Sequence, residues 1–327
     1  MKDFDYQRPV HEDDALRNAR DANARFIAGG TLLVDLLRLN VEQPELLIDV
    51  NGLPWRTLEV ANDAVRIGAL VRNSDLAEHP AIRAGFPVLS EALLSGASAQ
   101  IRNMATTGGN LLQRTRCAYF RDVAVPACNK RTPGSGCAAI GGYTRMHAVL
   151  GVSDQCIAAH PSDMCVALLA LDAVVHTRGQ RGERAIPMQD FHTLPGAHPE
   201  RESVLEPGEL VTQISIPKTA FAARSAYVKA RDRASYAFAL ASAAAALELD
   251  GQTVRQARIA LGGVGSKPWR CLEVEQALLG KPATRESFQA AASLAMNGAK
   301  TSPHNAFKVE LGRRVIVRAL ERAGAGT

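Results

Sequence analysis

Apolar and polar residues alternate along the first half of the chain in short runs whose period changes. Residues 26–30, FIAGG, form an apolar run that ends in two glycines, which predicts a strand entering a turn. Residues 31–39, TLLVDLLRL, have the i, i+3, i+4 apolar spacing of a helix. PELLIDV and AVRIGAL predict further strands, and a helical pattern over residues 74–95 is interrupted at Pro80 and Pro87. This mixture predicts an α+β fold.

The second half of the chain repeats the mixture in a different order. MCVALLALDA predicts a buried helix, ELVTQISIP at 209–217 predicts a strand, and residues 217–224 have the composition of a linker. Beyond it, SAYVKARDR and VRQARIALGGV predict strands, and YAFALASAAAALEL fits a strand or a helix. Three helical patterns follow: KPWRCLEVEQALLG, which includes Trp269 and Arg270, RESFQAAASLAM and AFKVELGRRVIVRALERA. We therefore predict two domains, at 1–221 and 222–327, the second a smaller α+β unit.

The periodicity disappears between about residues 114 and 142, where glycine and proline accumulate. A structureless segment of this length is uncommon in a compact domain unless something organises it. Four cysteines lie in or just after it, and we treat residues 114–157 as a cysteine-bearing insertion. They are Cys117, Cys128, Cys137 and Cys156.

Four thiolates are enough to ligate one [4Fe-4S] cluster. The spacings here, ten, eight and eighteen intervening residues, match none of the compact ferredoxin motifs. Structural zinc, which usually shows close C-x2-C pairs, and unrelated free thiols are the alternatives. Cys165 and Cys271 lie in apolar helical patterns and are interpreted as buried small hydrophobes.

Two Gly-Gly loops are candidates for phosphate binding. Gly29 and Gly30 lie between a predicted strand and a predicted helix, where free backbone N–H groups favour an anion. The second loop, ATTGGN at 105–110, offers hydroxyls, flexible backbone and an amide. Neither loop matches the G-x-G-x-x-G fingerprint, so a Rossmann site is not supported. Asp163, in HPSD, either accepts from ribose or ribityl hydroxyls or caps a helix. Nucleotide loops beside thiols point to electron transfer.

Composition argues against several other classes of protein. The 327 residues carry a net charge of +5 that is spread along the sequence, and nucleic-acid-binding motifs are absent, so no nucleic-acid partner is expected. Apolar stretches fall short of the ~20 residues needed to cross a bilayer, so we expect no membrane insertion. The first residues, MKDFDYQRPV, do not resemble a secretory signal, which favours folding in the cytoplasm.

FIAGGT, IRNMATTGGNLL, HPSD and KARDRASYAFALASAA resemble the FAD-binding medium subunit of molybdenum hydroxylases, the xanthine dehydrogenase and carbon monoxide dehydrogenase family. LLQRTRCAYFRD, ACNKR and PGSGCAAI are similar to the subset that carries an extra [4Fe-4S] cluster, above all in bacterial periplasmic aldehyde oxidases. The resemblance covers nearly the whole chain. It implies an FAD-binding domain of the vanillyl-alcohol-oxidase (PCMH) type in two subdomains, followed by a C-terminal domain of the carbon monoxide dehydrogenase flavoprotein type.

The resemblance also implies roles for individual residues. The first loop would wrap the FAD phosphates and adenine side, with Phe26, Ile27, Ala28, Gly29, Gly30, Thr31, Leu32 and Leu33. The second would hold the pyrophosphate from the other side, with Ala105, Thr106, Thr107, Gly108, Gly109 and Asn110. Asp163 would bind the ribityl or ribose region and Lys229 would lie near the flavin. The four insertion cysteines would ligate the cluster, and no residue is assigned a catalytic role.

The resulting hypothesis is an electron-transfer subunit of a heterotrimeric, molybdenum-dependent aldehyde oxidoreductase. Substrate oxidation would occur in a large molybdenum-cofactor subunit, and electrons would arrive through a small [2Fe-2S] subunit and leave to an external acceptor. The alternatives are a zinc-stabilised scaffold subunit and a free-standing flavin oxidase. The resemblance favours the periplasm, reached as a passenger of a partner with a twin-arginine signal, over the cytoplasm.

Overall fold

The structure, a computed structural model, describes residues 1–20 and 23–325, and the strands of these residues form three sheets. The first sheet is parallel, in the order β1-β3-β2, and its strands are β1 (Asp5–Gln7), β2 (Ala24–Ile27) and β3 (Leu46–Asp49). Helices α1 (Glu12–Asn18) and α2 (Leu33–Arg38) make the crossovers. The predicted FIAGG strand and the helix after it are confirmed, and Gly29 and Gly30 lie in the turn between β2 and α2.

The second sheet is antiparallel, in the order β4-β5-β8-β6-β7. Its strands are β4 (Leu58–Val60), β5 (Ala64–Gly68), β6 (Val174–Gly179), β7 (Gly182–Pro187) and β8 (Leu210–Pro217). The chain leaves this sheet after β5 and returns to it at β6, so residues 69–173 form one long excursion. The ATTGGN loop and the HPSD segment both lie in this excursion.

Short helices fill this excursion. They are α3 (Asn73–Glu78), α4 (Pro80–Gly85), α5 (Pro87–Ser95), α6 (Ala99–Met104), α7 (Thr107–Leu111), α8 (Ala118–Arg121) and α9 (Asp163–Ala170), with α10 (Met188–Phe191) after β7. Pro80 and Pro87 are the first residues of α4 and α5, which confirms the predicted interruptions, since proline is tolerated only in the first turn. The stretch without periodicity contains α8 and, beyond it, mainly turns.

The third sheet is antiparallel, in the order β12-β11-β10-β9, and the last helices pack against it. The strands are β9 (Ser225–Ala230), β10 (Ala241–Asp250), β11 (Thr253–Gly262) and β12 (Trp269–Arg270). The helices are α11 (Leu272–Leu278), α12 (Arg285–Ala292) and α13 (Phe307–Ala325). Trp269 and Arg270 were predicted to be helical, but they pair with β11 as an edge strand.

The alanine-rich segment is a strand because it is buried on both faces. Ala243 and Ala245 pack in the core with α13, whereas Ala244 packs in the core with α9. Small side chains let helices approach both sides of β10, and this packing overrides the helix propensity of alanine. Residues 218–224 are not an exposed linker, since Phe221 and Ala222 are buried. The predicted α+β class is confirmed.

No helix among the described residues is both long and apolar enough to span a membrane.

Candidate functional site

A cavity of about 1300 Å³ lies between the three sheets' connecting loops and is walled by both glycine loops. This volume exceeds the roughly 300–1,000 Å³ of ordinary small-molecule pockets. Helix α9 contributes Asp163 to the wall, and the C-terminal half contributes Lys229, Arg233 and Tyr236. The cavity therefore brings together segments that are far apart in the sequence.

All eight predicted residues of the first loop, Phe26 to Leu33, line this cavity. Gly29 has no room for a side chain, because a Cβ there would lie 1.9 Å from the carbonyl oxygen of Met104. Gly30 has φ +69°, in the left-handed region that glycine adopts without strain. Glycine is therefore required at the two positions for different reasons. Gly29 permits the two loops to meet backbone to backbone, and Gly30 turns the chain into α2.

The second loop forms the facing wall through Ala105, Thr106, Gly108, Gly109 and Asn110. The hydroxyl of Thr106 caps α7 by accepting a hydrogen bond from the Gly109 N–H at 3.2 Å. A Cβ at Gly109 would meet only Thr106 Oγ1, at 3.0 Å, so its remaining surroundings are open. Thr107 was predicted to belong to this wall, but it is fully buried and donates to the Gly68 carbonyl at 2.9 Å. It fastens the loop to β5 instead.

Asp163 lies at the junction of the two halves of the chain. Its Oδ1 accepts from the Tyr227 hydroxyl at 2.6 Å, and its Oδ2 lies 2.8 Å from Lys229 Nζ. Burial raises the pKa of Tyr227 well above its usual value, and the negative charge of Asp163 adds to this, so the phenol stays protonated and donates. The helix-cap reading of Asp163 is wrong, because Ser162 caps α9 by accepting from the Cys165 N–H at 3.2 Å.

The four insertion cysteines form one group. Cys128 and Cys137 are paired in an isolated antiparallel bridge. Burial raises the pKa of Cys117 to about 12, and the negative charges of Cys128 and Cys156 act in the same direction. Burial also raises the pKa of Cys156, with further contributions from Cys137 and Cys128 and an opposing one from Lys130. These mutual contributions show that the four thiols lie close enough to act on one another.

The insertion cysteines are not part of the one compact group of possible metal ligands among the described residues. Tetrahedral zinc with Zn–S bonds of about 2.3 Å holds its sulfurs roughly 3.8 Å apart. Within residues 1–20 and 23–325, the one group of three ligand atoms that all lie within 4.8 Å of each other is His160, Cys165 and His192. None of the four insertion cysteines belongs to that group. A cubane cluster gives each thiolate its own iron and fits a wider spread.

Basic residues of the insertion are tied to specific partners. Arg114 contacts Glu202 at 2.5 Å and also pairs with Glu42. Lys130 lies 3.1 Å from the same Glu202. Burial alone would raise the pKa of Glu202, but Arg114 and Lys130 hold it below its usual value. This network fixes the insertion to the cavity wall.

Other residues near the cavity were not among the predicted site residues. His160 lines both the large cavity and a small adjoining cavity that Cys156 also lines. Arg116 lies over the Phe238 ring at 5.0 Å, and both residues border the large cavity. Tyr227, the partner of Asp163, is a further functional residue that the sequence did not reveal. Its position in the β9 strand opposite α9 follows only from the packing of the two halves.

Comparisons with known proteins point to one family. Residues 2–219 match the family described as the FAD binding domain in molybdopterin dehydrogenase, and residues 225–323 match the CO dehydrogenase flavoprotein C-terminal domain. The aldehyde oxidoreductase FAD-binding subunit PaoB of Escherichia coli K12 is 50% identical over 328 residues, covering 99% of each chain. The glyceraldehyde dehydrogenase medium chain of Sulfolobus acidocaldarius is 29% identical over 281 residues, covering 85% of this chain and 82% of that one.

A solved structure shows the same fold. Carbon monoxide dehydrogenase from Hydrogenophaga pseudoflava, in a form that lacks the Mo-pyranopterin moiety of its cofactor, has a chain that aligns with a TM-score of 0.77 at 27% identity. The alignment covers 98% of this chain and 97% of that one. Because sequence and fold agree over nearly the full length, this chain belongs to the FAD-binding medium subunits of the molybdenum hydroxylase family, and it is an oxidoreductase subunit.

Proposed function

We propose that this chain is the FAD- and [4Fe-4S]-containing electron-transfer subunit of a heterotrimeric, molybdenum-dependent aldehyde oxidoreductase. One observation carries the proposal: a cavity walled by two glycine loops adjoins a group of four cysteines. His160 and Glu202 line both the large cavity and the small one beside Cys156, so the small cavity connects the wall of the large one with that cysteine.

The residues of the cavity suit a dinucleotide. Gly109 leaves space for phosphate against bare backbone, and Thr106 and Asn110 add polar groups to the second loop. Asp163 keeps acceptor capacity beyond its bonds to Tyr227 and Lys229, since a carboxylate has about four lone-pair sites. FAD accepts and releases one or two electrons, so when bound it connects single-electron and two-electron partners.

The donor set of the insertion suits an iron-sulfur cluster. Cys117, Cys128, Cys137 and Cys156 supply four thiols that act on one another electrostatically, and four thiolates are enough to ligate one [4Fe-4S] cluster. Lys130, whose charge lowers the pKa of Cys156, would compensate part of the negative charge of the thiolates. A [4Fe-4S] cluster held there would supply a one-electron site beside the flavin cavity.

The substrate class and partners rest on relatives. The E. coli protein, 50% identical over the full chain, is named as an aldehyde oxidoreductase subunit. We propose that substrate oxidation takes place in a large molybdenum-cofactor partner, that a small [2Fe-2S] partner delivers electrons, and that an external acceptor removes them. We further propose a domain boundary between residues 221 and 222, which falls in the gap between the two family matches.

The test is an absorption spectrum with iron and zinc assays on the complex purified anaerobically with its partners. We expect a flavin spectrum and about four irons beyond those of the small subunit. Flavin without the additional iron would remove the cluster and leave the FAD role standing. Zinc without iron or flavin would establish a scaffold, and substrate turnover by the isolated chain would establish a free-standing oxidase.

We also propose a periplasmic location, reached with a partner that carries a twin-arginine signal. The support is the resemblance of the cysteine insertion to that of periplasmic aldehyde oxidases. Cell fractionation of a strain with and without the partner's signal tests it: the chain should leave the periplasmic fraction when the signal is deleted. Retention in the cytoplasm in both strains would show a cytoplasmic enzyme.

A further inference from the structure

His147 lies beside the cysteine group, in the junction between the insertion and helix α13. Its side chain is 4% exposed, and its Nε2 is 3.2 Å from the sulfur of Cys117. Its backbone N–H donates to the Thr144 carbonyl at 2.9 Å, and its ring lies 6.0 Å from that of Tyr119. The next residue, Ala148, accepts from the Asn305 side chain at 3.2 Å. The two backbone hydrogen bonds hold the turn that carries His147, and its ring lies between Cys117 and Tyr119.

The two ring nitrogens of His147 have different surroundings. Nδ1 is buried and has no hydrogen-bond partner, whereas Nε2 faces the Cys117 sulfur. A cysteine that ligates metal is a thiolate and has no proton to give. With Cys117 in that state, the contact is satisfied only when the proton is on Nε2 and points to the sulfur.

We propose that His147 is a positioning residue that donates a hydrogen bond from Nε2–H to the Cys117 sulfur and raises the reduction potential of the iron-sulfur cluster that Cys117 ligates. This role rests on the cluster assigned to the insertion under the proposed function. Hydrogen bonds to ligand sulfurs withdraw electron density from the thiolate and favour the reduced state.

The hydrogen bond would distinguish Cys117 from the other three cysteines. The sulfur of Cys156 accepts from the backbone N–H of Ala158 at 3.5 Å. Backbone N–H groups of Phe120 and Tyr119 also stabilise the thiolate of Cys117. Within the described part of the chain, His147 is the one side chain seen to hydrogen bond any of the four insertion sulfurs. Because it belongs to a different turn from Cys117, it can be changed without altering the ligand loop.

Two variants separate the hydrogen bond from the packing of the ring. His147→Leu fills a similar volume and has no donor, whereas His147→Gln retains an amide N–H that reaches about as far as Nε2. The complex with its partners is purified for each, iron is counted, and the cluster is titrated potentiometrically under electron paramagnetic resonance. We expect full iron in both variants, a lower midpoint potential for His147→Leu, and a potential close to that of the wild type for His147→Gln.

Each outcome separates the alternatives. Full iron with an unchanged potential in His147→Leu overturns the role of the hydrogen bond and leaves the cluster in place. Iron loss in His147→Leu that His147→Gln restores supports the donor role, because only the N–H is common to histidine and glutamine here. Iron loss in both variants overturns it in favour of His147 as a direct ligand. A wild-type complex without the additional iron overturns the cluster itself, and this role with it.

Discussion

Lys229 Nζ lies 2.8 Å from Asp163 Oδ2, so an ion pair joins the β9 strand of the C-terminal half to the first turn of α9. The two side chains are only 3% and 9% exposed. Lys229 also donates to the Ser95 carbonyl at 3.0 Å, at the end of α5. Three elements of the cavity wall therefore converge on one ammonium group.

Replacing Lys229 with methionine should destabilise the chain and reduce its flavin content. The substitution leaves the buried Asp163 carboxylate without its cation, and breaking a buried pair by removing one partner typically costs about 3–5 kcal/mol. Urea unfolding of the flavin-free chain measures the loss of stability, and the flavin-to-protein absorbance ratio of the purified complex measures retention of the cofactor.

The control for this change is Lys2→Met, which removes an exposed pair. Lys2 Nζ and Glu45 Oε1 are 3.2 Å apart, but the side chains are 51% and 56% exposed, so solvent screens their attraction. We expect little change in stability and none in flavin content. If the two variants behaved alike, the Asp163 to Lys229 pair would have no special role in the wall.

Gly109→Val should abolish flavin binding while the chain still folds. A side chain at this position meets only Thr106 Oγ1 at 3.0 Å within the protein, so its branches would project into the space that the phosphate is proposed to occupy. Flavin content after purification is the measurement. Gly85→Val is the control, because its Cβ has nothing within 4 Å and the residue does not border the cavity. Normal flavin content in Gly109→Val would move the phosphate site elsewhere.

Local patterns were sufficient to predict much of the fold. The turn at Gly29 and Gly30 and the helix breaks at Pro80 and Pro87 appear as expected, because glycine and proline act on the backbone of their own turn. The β10 strand was ambiguous in the sequence. Its conformation depends on helices packed against both faces, α9 on one side and α13 on the other, and a local pattern does not contain that information.

In the candidate site, too, local motifs could be predicted from the sequence and contacts between distant segments could not. Fifteen of the sixteen predicted flavin-site residues border one cavity, because the motifs that carry them lie in loops whose glycines were visible in the sequence. Thr107 faces β5 instead, where its hydroxyl donates to the Gly68 carbonyl. Tyr227 and His147 escaped prediction because each acquires its role from a contact with a distant segment, Tyr227 with Asp163 and His147 with Cys117.

Cys128→Ser should remove or degrade the [4Fe-4S] cluster and leave FAD largely bound. Cys128 faces Cys137 across an antiparallel bridge, and its charge acts on Cys117 and Cys156, so it occupies a central place in the group. Serine is a poor substitute for a thiolate ligand of iron. Loss of metal should also loosen the insertion, because metal binding supplies folding energy to loops with little core of their own.

Iron analysis and limited proteolysis of the insertion measure these effects. Cys271→Ser provides the matched control, since Cys271 is buried against the C-terminal core and lies outside the insertion. It should keep its iron and its protease resistance at the insertion. Unchanged iron in Cys128→Ser would count against the ligand assignment.

Lys308, on α13, should give the chain a stability that rises with pH above neutrality. The side chain is fully buried, and its Nζ donates to the Gly263 carbonyl at 2.7 Å. Burial lowers the pKa of Lys308 from 10.5 to about 7, and the charge of Arg145 contributes to the lowering. Between these two values the unfolded chain binds a proton that the folded chain does not, so the free energy of unfolding increases with pH by up to about 1.4 kcal/mol per unit. Below pH 7 Lys308 is protonated in both states, and its burial then lowers the free energy of unfolding the most.

Urea unfolding of the wild type and of Lys308→Met at pH 7, 8 and 9 isolates this effect, because the other titrating groups are common to both. We expect the stability of the wild type, relative to that of Lys308→Met, to increase across this range. Lys281→Met serves as the control, since Lys281 is exposed, and it should follow the pH dependence of the wild type. Parallel curves for the wild type and Lys308→Met would mean that Lys308 remains charged in the folded chain despite its burial.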